Sequence, residues 1–315
     1  MKQGELLNEV KSLLGRHGFR SATAPPSLDF CFNIVASSGN TSLVIKAVND
    51  LNDVSREQME ELCAISNWAR AKPMLLAERK GDEELDDDAV YLKDRVYALS
   101  PEALRRTLEG DPPLVEVGPT GYFVYINGEL LKRRREELGL SVGELARLAG
   151  VSRMTIYSYE KGRRRTSPSV AYRLEYVLGV PLVVPINALT ANEDEVYEAP
   201  EACGSERGDA LRGGLLGTVL ELMRKMKLIF MAFMRAPFEV MVRHGELRAV
   251  MNVVHDEDYD ESRIIFTREF TDIMGISHLV VKPEDYECPG NVPSISLREL
   301  ESMRSPEELT KVLTA

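Results

Sequence analysis

Two rhythms of apolar and polar positions divide this chain. Near each end, a run of apolar, β-branched residues is interrupted by a turn containing Gly, in "FCFNIVASSGNTSLVIKAV" and again in "FEVMVRHGELRAVMNVV", which is the chemistry of a hairpin. Segments of helical spacing flank both runs. In the first, "GELLNEVKSLLGRHGF" precedes the hairpin, and the helix "SREQMEELCAISNWARA" and the short strand "PMLLAER" follow it. In the second, a helix is expected over Leu211 to Arg235, followed after the hairpin by the helix "ESRIIFTREFTDIMG" and the strand "SHLVVKP". Helix, hairpin, helix, strand thus occurs twice, each time with a later helix opened by Ser-Pro-Glu, at Ser100 and at Ser305. The repetition predicts two related α/β domains.

The centre runs differently, in short capped helices. "GELLKRRREELGL" ends at Gly139; Ser141 and Glu144 form a capping box for "VGELARLAG"; Ser152 caps "RMTIYSYEKG"; and Pro168 opens "SVAYRLEYVLGV". Two short helices joined by a three-residue turn make a helix-turn-helix. Leu145, Ala146 and Ile156 are spaced to pack across that turn. Arg153, Met154, Tyr157 and Ser158 then fall on the free face of the third helix, where side chains can reach base edges in a major groove.

Charge changes the picture in one place. The whole chain carries −11, which argues against coating nucleic acid over its surface, yet residues 128–180 hold eleven Lys/Arg against six Asp/Glu. Lys132 and Arg133 on one side, and Lys161, Arg163, Arg164 and Arg165 on the other, flank the proposed reading helix and can neutralise phosphates.

The stretch "LKRRREELGLSVGELARLAGVSRMTIYSYEKGRRRTSPSVAYRLEYVLGV" resembles the Cro/C1-type (XRE) DNA-binding domain, matching its ELA, GVS, TI, YEKG and LGV positions in order. The resemblance implies that Arg153, Met154 and Ser158 touch bases, and that Ser152 and Thr155 meet the DNA backbone. Val142 stands where the family commonly has a Gln that holds a phosphate, a task that Lys132 or Arg133 could take over. Over most of its length the layout is also similar to a group of archaeal HTH-type transcriptional regulators.

The repeated unit resembles the core of the restriction-endonuclease-like, PD-(D/E)xK, fold. That resemblance implies an Asp on one strand and a Glu-x-Lys on the next, with the carboxylates holding Mg²⁺. Asp29 and Lys46 match in the first copy, but Val44 replaces the second acid; in the second copy Glu239 is the matching acid, with Ala249 and Met251 in the other two places. Both metal sites are incomplete, so the expectation is a scaffold or dimerisation domain, no enzyme, and no metal or cofactor.

Other candidates carry little. The four histidines, His17, His244, His255 and His278, lack metal or triad spacing and are read as loop or surface residues. "GDEELDDDA" is read as a solvated acidic loop. Four scattered cysteines, and an N-terminus without a secretory pattern, predict a reduced, cytoplasmic protein. "LGTVLELMRKMKLIFMAFMRAPF" is broken by Arg224, Lys225 and Lys227, too soon to span a bilayer, and reads as a buried helix.

The expected architecture is therefore α+β and multidomain. An α/β domain over 1–110 precedes a hairpin and all-α helix-turn-helix domain over 111–189; an acidic linker over 190–209 leads to the second α/β domain over 210–315. The expected function is sequence-specific binding of double-stranded DNA as a homodimer, in transcription regulation and away from membranes. Two alternatives stand beside it: a DNA-processing protein using Asp29 and Lys46, and an antitoxin-like protein that binds a partner.

Overall fold

The computed structural model describes residues 3–162, 165–190, 214–255, 259–290 and 292–314. In chain order, the first repeat is α1 (Gln3–Arg16), β1 (Arg20–Thr23), β2 (Ile34–Ser38), β3 (Thr41–Asp50), α2 (Arg56–Ala69) and β4 (Lys72–Lys80). A mostly β stretch follows: β5 (Glu83–Glu84), β6 (Ala89–Lys93), β7 (Val96–Leu99), α3 (Pro101–Leu108), β8 (Val115–Gly118) and β9 (Gly121–Ile126). Next come α4 (Gly128–Glu137), α5 (Val142–Ala149), α6 (Arg153–Glu160), β10 (Arg165–Thr166), α7 (Pro168–Leu178) and β11 (Val183–Val184). The second repeat is α8 (Gly214–Lys225), β12 (Ile229–Ala232), β13 (Val240–His244), β14 (Leu247–Val253), α9 (Glu261–Met274) and β15 (Ser277–Lys282), closed by β16 (Ser294–Ser296), α10 (Leu297–Ser302) and α11 (Pro306–Thr314).

The described residues fall into two compact units, one drawn from Met1–Asn49, Asp53–Pro73 and Tyr197–Ala315, the other from Asp50–Asn52 and Met74–Val196. The expected linker, from 191 onward, lies outside the described residues.

Apart from β4, which passes into the second unit at Met74, both repeats lie in the first unit, and their hairpins are built alike. Ser38 pairs with Thr41 around Gly39, and His244 pairs with Leu247 around Gly245; both glycines take a positive φ, of 55° and 58°. A two-residue turn needs that left-handed geometry at its first position, which Gly adopts freely. Matching the turns fixes the correspondence: Phe32 with Phe238, Asn33 with Glu239, and Lys46 with Asn252. Helices α2 and α9 have equal lengths of 14 residues, with N-caps Ser55 and Asp260 and left-handed C-caps Arg70 and Gly275.

The structure corrects the expected repeat in two ways. Each copy holds one more strand, β1 or β12, so the unit is α-β-β-β-α-β. The helix expected over Leu211 to Arg235 ends at Lys225: Lys227 takes a φ of 56°, and Ile229–Ala232 pairs antiparallel with β13. A short apolar run does not reveal its period, and here an unpaired strand edge claimed it.

The two repeats pack on one another within the chain. Phe32 and Phe238, equivalent residues, meet with ring centroids 6.5 Å apart, as equivalent residues do beside a two-fold axis. Phe32 also contacts Phe266 and Phe270 of α9, at 5.7 and 5.3 Å. The Glu61 carboxylate accepts the backbone N–H groups of Met234 and Arg235, and the Cys31 N–H donates to the Arg235 carbonyl.

In the second unit the strand order is β4-β7-β6-β8-β9-β10, with β5 on β4 and β11 on β9. Strand β9 serves the helices directly. Its Val124 and Ile126 are buried with Leu131, Leu145, Ala149, Ile156, Leu174 and Leu178 in one core. The capped helices therefore do not close a core by themselves, and a fragment starting at Asn127 lacks that strand. After α7 the chain returns as β11, which adds two residues antiparallel to β9. Among the described residues, no helix is long and apolar enough to cross a membrane.

Candidate nucleic-acid interface

Every helix of the central module is capped as its residues dictate. Ser141 Oγ accepts the Glu144 N–H at 3.2 Å while Glu144 Oε2 accepts the Ser141 N–H at 2.8 Å; Ser152 Oγ accepts the Thr155 N–H at 3.0 Å. Gly150, with φ 68°, ends α5 in the left-handed conformation and turns the chain toward α6. The Arg173 guanidinium donates to the Ala149 carbonyl at 2.7 Å, tying α7 to that turn.

Helix α6 then has two faces. Ile156 and Tyr159 are buried, the latter donating its hydroxyl to Thr166 at 2.7 Å. Opposite them, Met154 is 71% exposed and Tyr157 52% exposed; Arg153 and Lys161 are exposed and Ser158 half-buried. Met154, Tyr157, Ser158 and Lys161 follow the i, i+3, i+4, i+7 spacing of one helical face, and Lys161 Nζ stands 5.6 Å from the centre of the Tyr157 ring. Arg153 lies along the start of α5, where a Cβ on Gly143 would come within 2.8 Å of its Nε.

Two features that sequence reasoning missed hold α6 in place. Arg135 of α4 makes a two-point ion pair with Glu160, at 2.6 and 3.1 Å, and donates to the Leu140 carbonyl at 2.9 Å. Both side chains are about nine-tenths buried, and the Glu160 bond raises the Arg135 pKa further. The partners are 25 residues apart, so no local pattern announces them. At the other end Gly128 lets α4 meet α6 backbone to backbone, since a Cβ there would fall 2.1 Å from the Tyr159 carbonyl oxygen.

The basic residues split by role. Lys132 and Arg133 are exposed on α4, with no ion pair among the described residues. Arg134 is engaged by the Leu178 carbonyl and Glu137. Arg165 Nη2 pairs with buried Glu116 at 2.6 Å, and its guanidinium lies 3.7 Å from the centre of the Phe123 ring. Arg163 and Arg164 lie outside the described residues.

The nuclease-like positions are also clear. Lys46, 2% exposed, donates to Asp29 Oδ1 at 2.8 Å and to the Phe30 carbonyl at 2.5 Å, and Gln58 donates to Asp29 at 3.0 Å. Burial works to raise the Asp29 pKa, but the Lys46 bond and charge, with Gln58, hold it below the ordinary value. Asp29 lies five residues before β2, and the residue equivalent to Glu239, immediately before the strand, is Asn33. The matches to Ala249 and Met251 are corrected likewise, to Val250 and Asn252. A slip of one residue moves a side chain to the opposite face, and Ala249 and Met251 lie in the apolar core with Val240 and Val242. A divalent cation needs several carboxylate oxygens, and Asn33, Val44 and Lys46 do not fit one.

In the second repeat Glu239 is enclosed by polar partners. Its carboxylate accepts the Val253 N–H at 2.8 Å, the Tyr259 hydroxyl at 3.1 Å and Arg263 Nη2 at 2.7 Å. Asn252 donates to the same Tyr259 oxygen at 2.9 Å, and its carbonyl lies 2.7 Å from His278 Nε2. Burial raises the Glu239 pKa and lowers that of His278 to about 4. His278 is thus a buried strand residue rather than the surface residue expected, because β15 runs between β14 and β16 and is buried on both faces from His278 to Val281.

Comparison with known proteins agrees with this geometry. Residues 3–113 match the model of a PD-(D/E)XK superfamily domain, and residues 131–184 match a helix-turn-helix model. A protein of Pyrococcus horikoshii is 33% identical to this chain, covering 99% of it and 98% of the relative; one of Pyrococcus abyssi is 32% identical, with coverages of 99% and 98%. A third, from Methanocaldococcus jannaschii, is 31% identical over 96% of the chain and 94% of its own length. All three carry the name "putative HTH-type transcriptional regulatory protein".

Proposed function

The chain belongs to the family of these archaeal proteins, and on that premise we propose that it regulates transcription by binding specific duplex DNA, with α6 entering the major groove. The outward face of α6 carries the reading: Arg153, Met154 and Tyr157 are exposed and Ser158 half-buried, while Ile156 and Tyr159 anchor the helix from behind. Those four residues contact bases. Ser152, Thr155, Lys132, Arg133, Lys161, Arg163 and Arg164 contact the backbone, and Arg165 joins them only by releasing Glu116.

Arg153→Ala is expected to weaken binding to the cognate site by roughly 1–3 kcal/mol and binding to random DNA far less, measured on fragments recovered by footprint sequencing. An equal effect on both would remove Arg153 from the base-reading set. Replacing Lys132 and Arg133 by Ala should weaken all sequences alike and lower the salt slope by about 1 for each phosphate no longer neutralised.

A homodimer is part of the proposal, because one helix reads few base pairs and two half-sites lie about 34 Å apart. The repeats already cover one another within the chain, so a second copy must meet a different face. Sedimentation of the full chain with and without operator tests this, and a monomer that saturates a single half-site with full specificity would sink it. The neutral Asn33 and Val44 support a protein that cuts nothing; Mg²⁺-dependent cleavage of any DNA form would reverse that.

A further inference from the structure

At the turn end of the second repeat, three arginines are gathered in one place. Arg243 and Arg248 are direct cross-strand partners on β13 and β14, so their side chains leave the same face of the sheet. Arg243 lies over the ring of Trp68, 5.8 Å from its centre, and Arg70 lies two residues beyond Trp68 as the C-cap of α2. The charges of both Arg70 and Arg243 reach Arg248, whose pKa is lowered first by burial and then by those two neighbours. None of the three forms an ion pair among the described residues, and Glu246 is the acid whose field Arg248 feels.

This arrangement works against the fold. Like charges placed directly opposite on a sheet repel. A non-glycine residue in the left-handed region, here Arg70 with φ 52°, is strained. The first repeat shows what the same places hold when stability alone is served: Ser37 and Ser42, equivalent to Arg243 and Arg248, hydrogen-bond to each other at 3.1 Å. In the second repeat, Gly275 occupies the cap equivalent to Arg70. Three cations collected at a structural cost, half-exposed or exposed and beside an aromatic ring, form a receptor for an anion of more than one charge. A carboxylate is satisfied by one guanidinium fork, whereas a phosphate group offers oxygens and charge enough for three.

We propose that Arg70, Arg243 and Arg248, the second of which lies over Trp68, bind a phosphate group, carried either by a nucleic-acid strand or by a small phosphate compound. Trp68 is the chain's single tryptophan, so its fluorescence reports on this place alone. The full chain is titrated with inorganic phosphate, with a short single-stranded deoxyoligonucleotide, and with chloride and acetate at matched ionic strength. A saturable change in Trp68 emission with phosphate identifies the small compound as sufficient; a change with the oligonucleotide alone identifies the strand. In either case Arg243→Gln and Arg248→Gln should each weaken the response about tenfold. Arg70→Gly should weaken it too while leaving the melting temperature equal or higher, since Gly suits the left-handed cap. The proposal is overturned by silence toward both phosphate probes, by an equal response to acetate or chloride, or by unchanged binding in Arg70→Gly protein of intact stability.

Discussion

Lys46 in the first repeat and Asn252 in the second stand in one place of a shared fold, as do Asn33 and Glu239, and Gln58 and Arg263. Around Lys46 the partner acid, Asp29, is two-thirds exposed, while the buried ammonium is held by it and by the Phe30 carbonyl. Around Asn252 the acid is enclosed, held by Arg263, Tyr259 and a backbone N–H. The same hairpin register and the same capped helix carry both arrangements. What the copies keep is apolar packing and turn chemistry; what they let change are the polar positions. The PD-(D/E)xK pattern asks for two acids and a lysine at those positions, where the first copy places Asn33, Val44 and Lys46 and the second Glu239, Val250 and Asn252.

The largest expected effect tests the enclosed side. Glu239→Ala removes the anion facing a partly buried Arg263 and leaves the Val253 N–H unpaired, and should cost about 3 kcal/mol in a denaturant melt. Lys46→Met keeps the length of the side chain and releases Asp29 to water, and should cost about 1 kcal/mol or less. Equal costs would erase the distinction between the copies.

The next effect is in pH. The unfolded chain protonates His278 near 6.5, but the folded chain only near 4, so between those values the unfolded state binds more protons. Stability contributed by neutral His278 is therefore complete above 6.5 and declines as pH falls toward 4, at up to about 1.4 kcal/mol per pH unit. Glu239, whose pKa is raised by burial, acts with the opposite sign above its ordinary value of 4.5. The difference between wild type and His278→Gln isolates the histidine, and parallel pH profiles would contradict its burial as neutral imidazole. The first repeat has no titrating counterpart: its position 73, matched through the helix caps, is a proline.

The smallest effect belongs to what the copies share. Ser55→Ala and Asp260→Ala each remove one N-cap and should each cost about 1 kcal/mol. A large disparity would mean that the two helices are not equivalent in the way their caps suggest.

Legibility in the sequence followed the range of the interaction. Ser141 with Glu144, Ser152, Pro168 and the glycines at 139, 150 and 162 act within a turn or two of chain, and they marked the four central helices and the exposed face of α6. The hairpins around Gly39 and Gly245 were legible for the same reason. The strand Ile229–Ala232 was not, because four apolar residues after a helix fit either period until a neighbouring strand edge claims them.

Amino-acid order by itself determined the caps, the turns, the repeat and the face that α6 presents, since each depends on residues a few positions apart. Only the tertiary structure decided that β9 completes the helical core, that Arg135 finds Glu160, that the repeats bury Phe32 against Phe238, and that Arg70 joins Arg243 and Arg248. Arg135 and Glu160 are 25 positions apart, and Phe32 and Phe238 more than 200. Their partners are chosen by strand register and by which surfaces must leave water, and no local spacing encodes either.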